Sequence, residues 1–406
     1  MRSRWWWMTP RHRQRSSCLR AVALALAALE LSAIAVTAVQ PTRDDEVLEV
    51  LPAVTRNRPV RSTSAAASAS ASVVMPVNPA TAALQARQDI AVARQTGDTR
   101  YWGRAQAALA PWWDRPDAPP DMAVLQATVQ QGRHEFEASR KLLTAVLARA
   151  PGHAQGWLNL AALERLSARY EPALAACEAV ARAGQALYAQ ACRLETQSLQ
   201  GQHAATTQGL QGLLAQTTND GQRSWLLSLL AESQERAGSD QAAADAYARS
   251  LALESDLYTA IAYSDLLLRG GKTQAALQVL AALPETDAVL LRRAAAWRRL
   301  GDTRWTGVRA TLRERSAELE QRGDDPTLHG RELALIALWL DDDPTGALKL
   351  ARRNLLLQRE PVDWWVALQS ARRAKDAVAT GQITDAIHSA GLVDLRLALA
   401  PKSGKR

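Results

Sequence analysis

The chain has 406 residues, with 49 lysines and arginines against 41 aspartates and glutamates, which gives a formal net charge of +8. The excess lies at the N-terminus: six arginines precede residue 21, and from residue 40 onward 43 basic residues face 40 acidic ones. This near-neutral body argues against a nucleic-acid groove. Abundant alanine, leucine, arginine, glutamine and glutamate favour helix throughout, and the length suits either two domains or one repeat array.

Residues 1–20 form a basic region, and residues 21–39 form an apolar stretch whose only charged residue is Glu30. As a helix the stretch would be roughly 28 Å long, just enough to cross a bilayer. The arginines ahead of it predict a cytoplasmic N-terminus and an exported remainder. Small residues between 33 and 38 favour a cleaved signal peptide, whereas the length and Trp5–Trp7 favour a retained anchor. We expect a periplasmic protein tethered to the inner membrane, with a cleaved, soluble form as the alternative.

Four further segments follow from composition. Residues 40–80 are rich in proline, alanine and serine and predict a disordered linker, because such a segment has too little apolar bulk to offset its chain entropy. Residues 81–380 predict the folded array, 381–399 predict a capping helix, and 400–406 form a basic tail.

The segment 154–183 shows the unit from which the array is built. It predicts two short antiparallel helices that are joined by a turn near Ala168, because apolar residues recur in each half at three- and four-residue spacing and therefore share a face. Those residues are Trp157, Leu160, Leu163, Tyr170, Ala173, Cys177 and Val180.

The unit recurs with a period of 34 residues. The sequence Gly-Asp-Thr-Arg followed by an aromatic residue begins at both Gly97 and Gly301, which are 204 residues or six periods apart. Glycine suits a left-handed helix C-cap, and Asp or Thr suits the start of the next helix. We predict turns within the helix pairs near Gly97, Gly132, Ala168, Gly201, Gly238, Gly271, Gly301, Asp342 and Asp376.

This order of Trp, Leu, Ala, Tyr and Ala in a helix–turn–helix of about 34 residues resembles the tetratricopeptide repeat, or TPR. The resemblance implies an all-α solenoid of stacked antiparallel helix pairs, coiled into a superhelix. It also implies a non-enzymatic scaffold that binds a protein or peptide in its concave groove, with no cofactor, nucleic acid or small-molecule substrate. The alternative is an accessory or specificity subunit of an envelope enzyme or biogenesis complex, of the cytochrome c maturation, pilus or polysaccharide export type.

The predicted groove carries arginines in the last turns of the first helices. A ladder of guanidinium groups suits a partner that presents carboxylates, although arginine near a helix C-terminus also simply complements the helix dipole. Three aromatic residues near the starts of first helices, Tyr188, Trp225 and Tyr258, are further groove candidates. The ladder comprises Arg94, Arg165, Arg236, Arg269, Arg298, Arg299 and Arg373.

The cysteines and the remaining polar residues suggest no catalytic site. Cys177 and Cys192 flank a predicted helix connection at similar distances, so an exported chain could join them in a disulfide, with two buried free thiols as the alternative. The histidines are scattered, and neither an HExxH motif nor a cysteine–histidine zinc spacing is present. We therefore expect no metal.

Overall fold

The computed structural model describes residues 78–321 and 329–398, which contain nineteen α-helices and no strand. The predicted segments 1–20, 21–39 and 400–406, and almost all of the linker 40–80, lie outside these residues. None of the described helices is both long enough and apolar enough to cross a membrane. The helices are α1 (Pro79–Thr96), α2 (Arg100–Leu109), α3 (Pro120–Gly132), α4 (Phe136–Arg149), α5 (Ala154–Leu166), α6 (Tyr170–Arg182), α7 (Ala186–Leu199), α8 (His203–Gln216), α9 (Asp220–Arg236), α10 (Asp240–Leu253), α11 (Leu257–Arg269), α12 (Thr273–Leu280), α13 (Asp287–Arg299), α14 (Arg304–Gln321), α15 (Gly330–Trp339), α16 (Pro344–Leu357), α17 (Pro361–Arg373), α18 (Ala377–Ser389) and α19 (Leu395–Ala398).

The first eighteen of these helices form nine consecutive pairs, from α1–α2 to α17–α18. Within each pair the two helices pack on each other, and the first helix of a pair also packs against the first helix of the next, as α13 does against α15 and α15 against α17. Each unit thus buries its apolar stripe against its neighbours. The predicted all-α, TPR-like solenoid is confirmed by this arrangement.

A residue with left-handed backbone conformation reverses the chain within every pair. Five of these nine residues are glycines, including Gly97 and Gly301, each with φ of 73°. Their Gly-Asp-Thr-Arg sequences also form the same local structure, since Asp98 accepts hydrogen bonds from the Arg100 backbone and side chain, as Asp302 does from Arg304. The complete set is Gly97, His134, Ala168, Gly201, Gly238, Gly271, Gly301, Asp342 and Lys375.

The left-handed residue differs from the predicted one at two turns. Near Gly132 it is His134, with φ of 64°, and near Asp376 it is Lys375, with φ of 56°. Gly132 is instead helical and lies under the ring of Trp102, where an added Cβ would come within 2.4 Å of the indole. The glycine is therefore needed for close packing and not for the turn.

The array closes on itself at its C-terminal end. The Arg359 N–H donates to the Leu166 carbonyl at 2.7 Å, and the Val393 N–H donates to the Leu199 carbonyl at 2.9 Å. Leu199 also shares an apolar cluster with residues of α13, α15 and α17, such as Leu291. The concave face that the sequence predicts consequently surrounds a central cavity that remains partly open to solvent.

The segment 381–399 differs from the single capping helix that was predicted. It contains most of α18 and the separate α19, because Gly391 takes a left-handed φ of 69° and ends α18. The extended residues between the two helices lie over the turns at Gly201 and Gly238, which Val393 and Leu395 contact. This segment covers the ends of α7 and α9.

Candidate functional site

The candidate site is the central cavity, which the first helices of the pairs surround. Its volume is about 1490 Å³. Charged side chains of both signs line it, so the surface is not uniformly basic. Six of the ten groove residues that the sequence predicts are among the lining residues: Arg165, Arg236, Tyr258, Arg269, Arg299 and Arg373.

Two predicted ladder arginines lie away from this cavity. Arg298 donates to the Trp339 carbonyl at 2.6 Å and forms an ion pair with the exposed Asp342. The guanidinium of Arg94 lies 5.8 Å from the centre of the Trp102 ring. Both side chains therefore join neighbouring helices and do not face a partner in the cavity.

Tyr188 and Trp225 also lie outside the cavity lining. Their rings are 5.4 Å apart, and Trp225 is only 3% exposed within the apolar cluster of α5 to α10. The Tyr188 hydroxyl accepts a hydrogen bond from Gln222 at 3.0 Å. These two aromatic residues stabilise the packing of α7 on α9, which is what a first-helix aromatic usually does.

Arg165 and Arg236 line the cavity but are buried, at 6% and 3% exposure. Arg165 lies 3.5 Å from Glu195, and Arg236 lies 3.7 Å from Glu232. Burial lowers the pKa of Arg165, and nearby carboxylates, Glu195 first among them, oppose that shift. The charges of both arginines are therefore balanced by carboxylates of the same chain.

The side chains of Arg269 and Tyr258 also bind carboxylates of the same chain. Arg269 donates to the Glu235 carboxylate at 2.6 Å, and the Tyr258 hydroxyl donates to Glu232 at 2.7 Å. Burial by itself would raise the pKa of Glu235, but Arg396 and Arg269 lower it below the ordinary value. The α19 residue Arg396 thus ties the C-terminal segment to the end of α9, at 3.3 Å from Glu235.

The acidity of the cavity carboxylate Glu360 is also altered. Burial raises the pKa of Glu360 to about 7, against the opposing effect of Arg331 and with a further contribution from Asp363. Arg331 lies 3.0 Å from Glu360 and 2.6 Å from Asp363. The Arg331 guanidinium therefore forms ion pairs with two carboxylates. Protonation of Glu360 near neutral pH reduces the repulsion between those carboxylates.

Arg299 and Arg373 differ from the three other predicted arginines that line the cavity, because both are exposed to solvent. Each donates to the end of a neighbouring first helix: Arg299 to the Leu268 carbonyl of α11, and Arg373 to the Leu338 carbonyl of α15. Among the described residues neither forms an ion pair with a carboxylate. Enclosure in the cavity, and secondly the charge of Arg373, lower the pKa of Arg299.

Two tryptophans and an amide also line the cavity, Trp339 on α15 and Trp365 and Gln369 on α17. Together with the two arginines they form what we call the cationic site: Arg299, Arg373, Trp339, Trp365 and Gln369. The rings of Trp339 and Trp365 meet edge to face, 6.4 Å apart. Two guanidinium groups and two tryptophan rings in the lining of one cavity suit an anionic group on a partly apolar ligand.

Sequence reasoning predicted the two arginines of this site and missed Trp339, Trp365 and Gln369. Trp365, Gln369 and Arg373 are spaced by four residues, which places them on one face of α17. Of the two adjacent tryptophans of α17, Trp364 is buried, at 4% exposure, whereas Trp365 is partly exposed. The four-residue spacing is the signal that could have found the site.

The arrangement of the cationic site suits binding of an anion. The structure holds no group of three or more histidine, cysteine or acidic residues arranged to bind a metal within residues 78–321 and 329–398. The fixed guanidinium groups can instead donate parallel hydrogen bonds to a carboxylate or a phosphate.

Cys177 and Cys192 are joined in a disulfide across the seam between α6 and α7. Their Cα atoms are 5.6 Å apart, both residues are buried, and Arg165 lies 3.5 Å from the Cys192 sulfur. Of the two states that the sequence left open, the structure has the bonded one. The bond lies beside the buried arginines and not beside the cationic site.

No family model matches the chain, and neither does any curated protein sequence. Among solved structures, the human IFIT1 dimers with m7Gppp-AAAA and with PPP-AAAA are each 14% identical to this chain at a TM-score of 0.40, covering 74% of it and 81% and 82% of those chains. The P58(IPK) TPR domain is 16% identical at a TM-score of 0.24, covering 80% of this chain and 99% of that one. The TPR-like fold described above rests on the nine helix pairs of this chain.

Proposed function

We propose that the chain is a non-enzymatic protein-interaction scaffold that binds a carboxylate-bearing segment of a partner protein in its central cavity. The observation that carries this proposal is the cationic site. Arg299 and Arg373 are exposed to solvent in the cavity and have no carboxylate partner among the residues that the structure describes, whereas the other predicted arginines that line it are already paired.

The size and lining of the cavity favour a peptide segment. Its volume of about 1490 Å³ exceeds the range of roughly 300–1,000 Å³ that is typical of small-ligand pockets. The two guanidinium groups are held by helix-end carbonyls, so little side-chain entropy is lost when they bind an anion. Trp339 and Trp365 offer apolar surface beside them, as is common at interface anchors.

The proposal places this scaffold in the cell envelope. That location rests on the basic residues 1–20 and the apolar residues 21–39, which favour a membrane tether with the folded array on the far side. An accessory role in an envelope enzyme or biogenesis complex is compatible with the same layout.

The test begins with identification of the partner segment. Gln369 is replaced by p-benzoylphenylalanine in the full chain, and photocrosslinking in native membranes is followed by mapping of the crosslinked peptide. The same photoprobe in place of Arg353, on the exposed face of α16, is the matched control. We expect a peptide that is captured from position 369 and not from position 353.

The chemistry is then tested on the identified peptide. We expect Arg299→Ala with Arg373→Ala to weaken binding about tenfold, and amidation of the peptide carboxylate to weaken it similarly and with no further loss in the double variant. Equal binding of the acid and the amide would disprove carboxylate recognition. Retention of an RNA oligonucleotide at physiological salt, lost in the same variant, would instead assign the site to phosphate.

A further inference from the structure

A second concave site lies outside the central cavity, and none of its lining residues lines that cavity. We call it the outer cleft. It has a volume of about 510 Å³ and lies between the turn at Ser167–Arg169, the end of α16 and one face of α18. The backbone hydrogen bond from Arg359 to Leu166 runs beside it, so the cleft marks the seam at which the array closes.

The charge of the outer cleft is entirely positive. Arg169, Arg352 and Arg359 line it, and no aspartate or glutamate does. Arg169 is neutralised by Glu164 at 3.0 Å. The Arg352 side chain donates to the amide oxygen of Gln382, and the Arg359 side chain donates to the Leu355 carbonyl, so two positive charges remain without a carboxylate in the described part of the chain.

The outer cleft also exposes a large apolar side chain to solvent. Leu356 is 83% exposed, more than any other large apolar residue among those the structure describes. Beside it, Trp364 and Ile383 form a buried apolar wall at 4% and 5% exposure. An exposed leucine at the edge of a concave apolar surface, flanked by arginines, is typical of an interaction site.

We propose that the outer cleft binds an acidic peptide in which one large apolar side chain is flanked by carboxylates. The apolar side chain would pack against Leu356 and the Trp364 wall, and the carboxylates would pair with Arg352 and Arg359. The two arginines without a carboxylate partner among the described residues favour an acidic partner, and the concave volume of about 510 Å³ suits a peptide side chain. This site does not depend on the function proposed for the cavity.

A bound peptide would contact both sides of the seam. The turn at Ala168 belongs to the third helix pair, whereas Leu356 and Ile383 belong to the last two. Occupancy should therefore stabilise the closed array, because a ligand that binds only the folded, closed form raises its stability by mass action.

The experiment uses the full chain and a short fluorescein-labelled peptide with a central leucine flanked on both sides by glutamates, followed by fluorescence anisotropy. Control peptides carry lysine for glutamate or serine for leucine. We expect saturable binding of the first peptide only, with a rise in melting temperature. Leu356→Ser and Arg352→Glu should each lower affinity about tenfold.

Arg353→Glu is the matched control, since it reverses a neighbouring exposed charge on α16 that does not line the cleft. It should bind normally, as should the Arg299→Ala, Arg373→Ala double variant of the cavity. Circular dichroism checks that each variant keeps its helix content. Absence of binding, equal binding of the lysine peptide, or binding of anionic vesicles with the same dependence on Arg352 would each overturn the proposal.

Discussion

Arg165 and Arg236 occupy the same position in their repeats as Arg299 and Arg373, namely the last turn of a first helix, yet their surroundings differ. The first two are almost fully buried beside carboxylates, and the C-terminal segment covers the helix ends around them. The second two reach helix-end carbonyls and remain open to the cavity. The repeat position alone therefore does not decide whether an arginine stabilises the fold or is free to bind a partner.

Of the variants that test this difference between the two arginine pairs, Arg236→Ala should lose the most stability. The arginine is 3% exposed, donates to Ser198 and lies beside Glu232, so its removal leaves buried polar groups without their partner. We expect a loss of about 3–5 kcal/mol in the free energy of unfolding, measured by urea denaturation. A loss no greater than that of Arg373→Ala would show that the two regions do not differ.

Reduction of the disulfide should cause the next largest loss of stability, because the bond links α6 to α7 beside the buried Arg165. The bonded cysteines are 15 residues apart, and a loop of that size is worth about 3 kcal/mol. We expect thiol titration of the unfolded, unreduced full chain to detect Cys18 alone. Three reactive thiols would refute the bond, and the Cys177→Ser, Cys192→Ser variant should melt like the reduced protein.

The pH dependence of stability tests Glu360. Its folded-state pKa of about 7 lies above the ordinary value of 4.5, so the folded protein binds the proton more tightly. The resulting stabilisation is complete below pH 4.5 and is lost as pH rises through 7. Between pH 5 and 7 the loss is on the order of 2 kcal/mol.

Glu360→Gln is the control for this pH dependence, since glutamine keeps the shape and does not titrate. Denaturation midpoints of the variant should change less between pH 5 and 7 than those of the parent chain. Identical pH profiles of the two proteins would mean that Glu360 titrates normally.

The smallest effect is expected for Arg373→Ala. The side chain is exposed and donates one hydrogen bond to the Leu338 carbonyl, so its removal should cost about 1 kcal/mol of stability. Arg373→Lys should cost less still. A loss comparable to that of Arg236→Ala would mean that Arg373 is structural, and that the cationic site is not available to a partner.

The sequence predicted most of the fold and part of the site. The helix pairs, their turns and the side-by-side placement of Cys177 and Cys192 follow from spacing within about one repeat. The cavity position of Arg299 and Arg373 was predicted by the same period. Their difference from Arg165 was not, because Arg165 lies beside Glu195 of the next repeat and is also within reach of the charge of Glu360, which belongs to the last helix pair and comes near only when the array closes.

The sequence by itself determined the helical repeat, since apolar periodicity and left-handed cap residues act over a few neighbouring positions. Only the tertiary structure decided that the array closes, through contacts such as Arg359 to Leu166 and Val393 to Leu199. It likewise decided which arginines are paired. Both outcomes depend on small rotations between successive helix pairs, which accumulate along the array and are set by packing that no single repeat encodes.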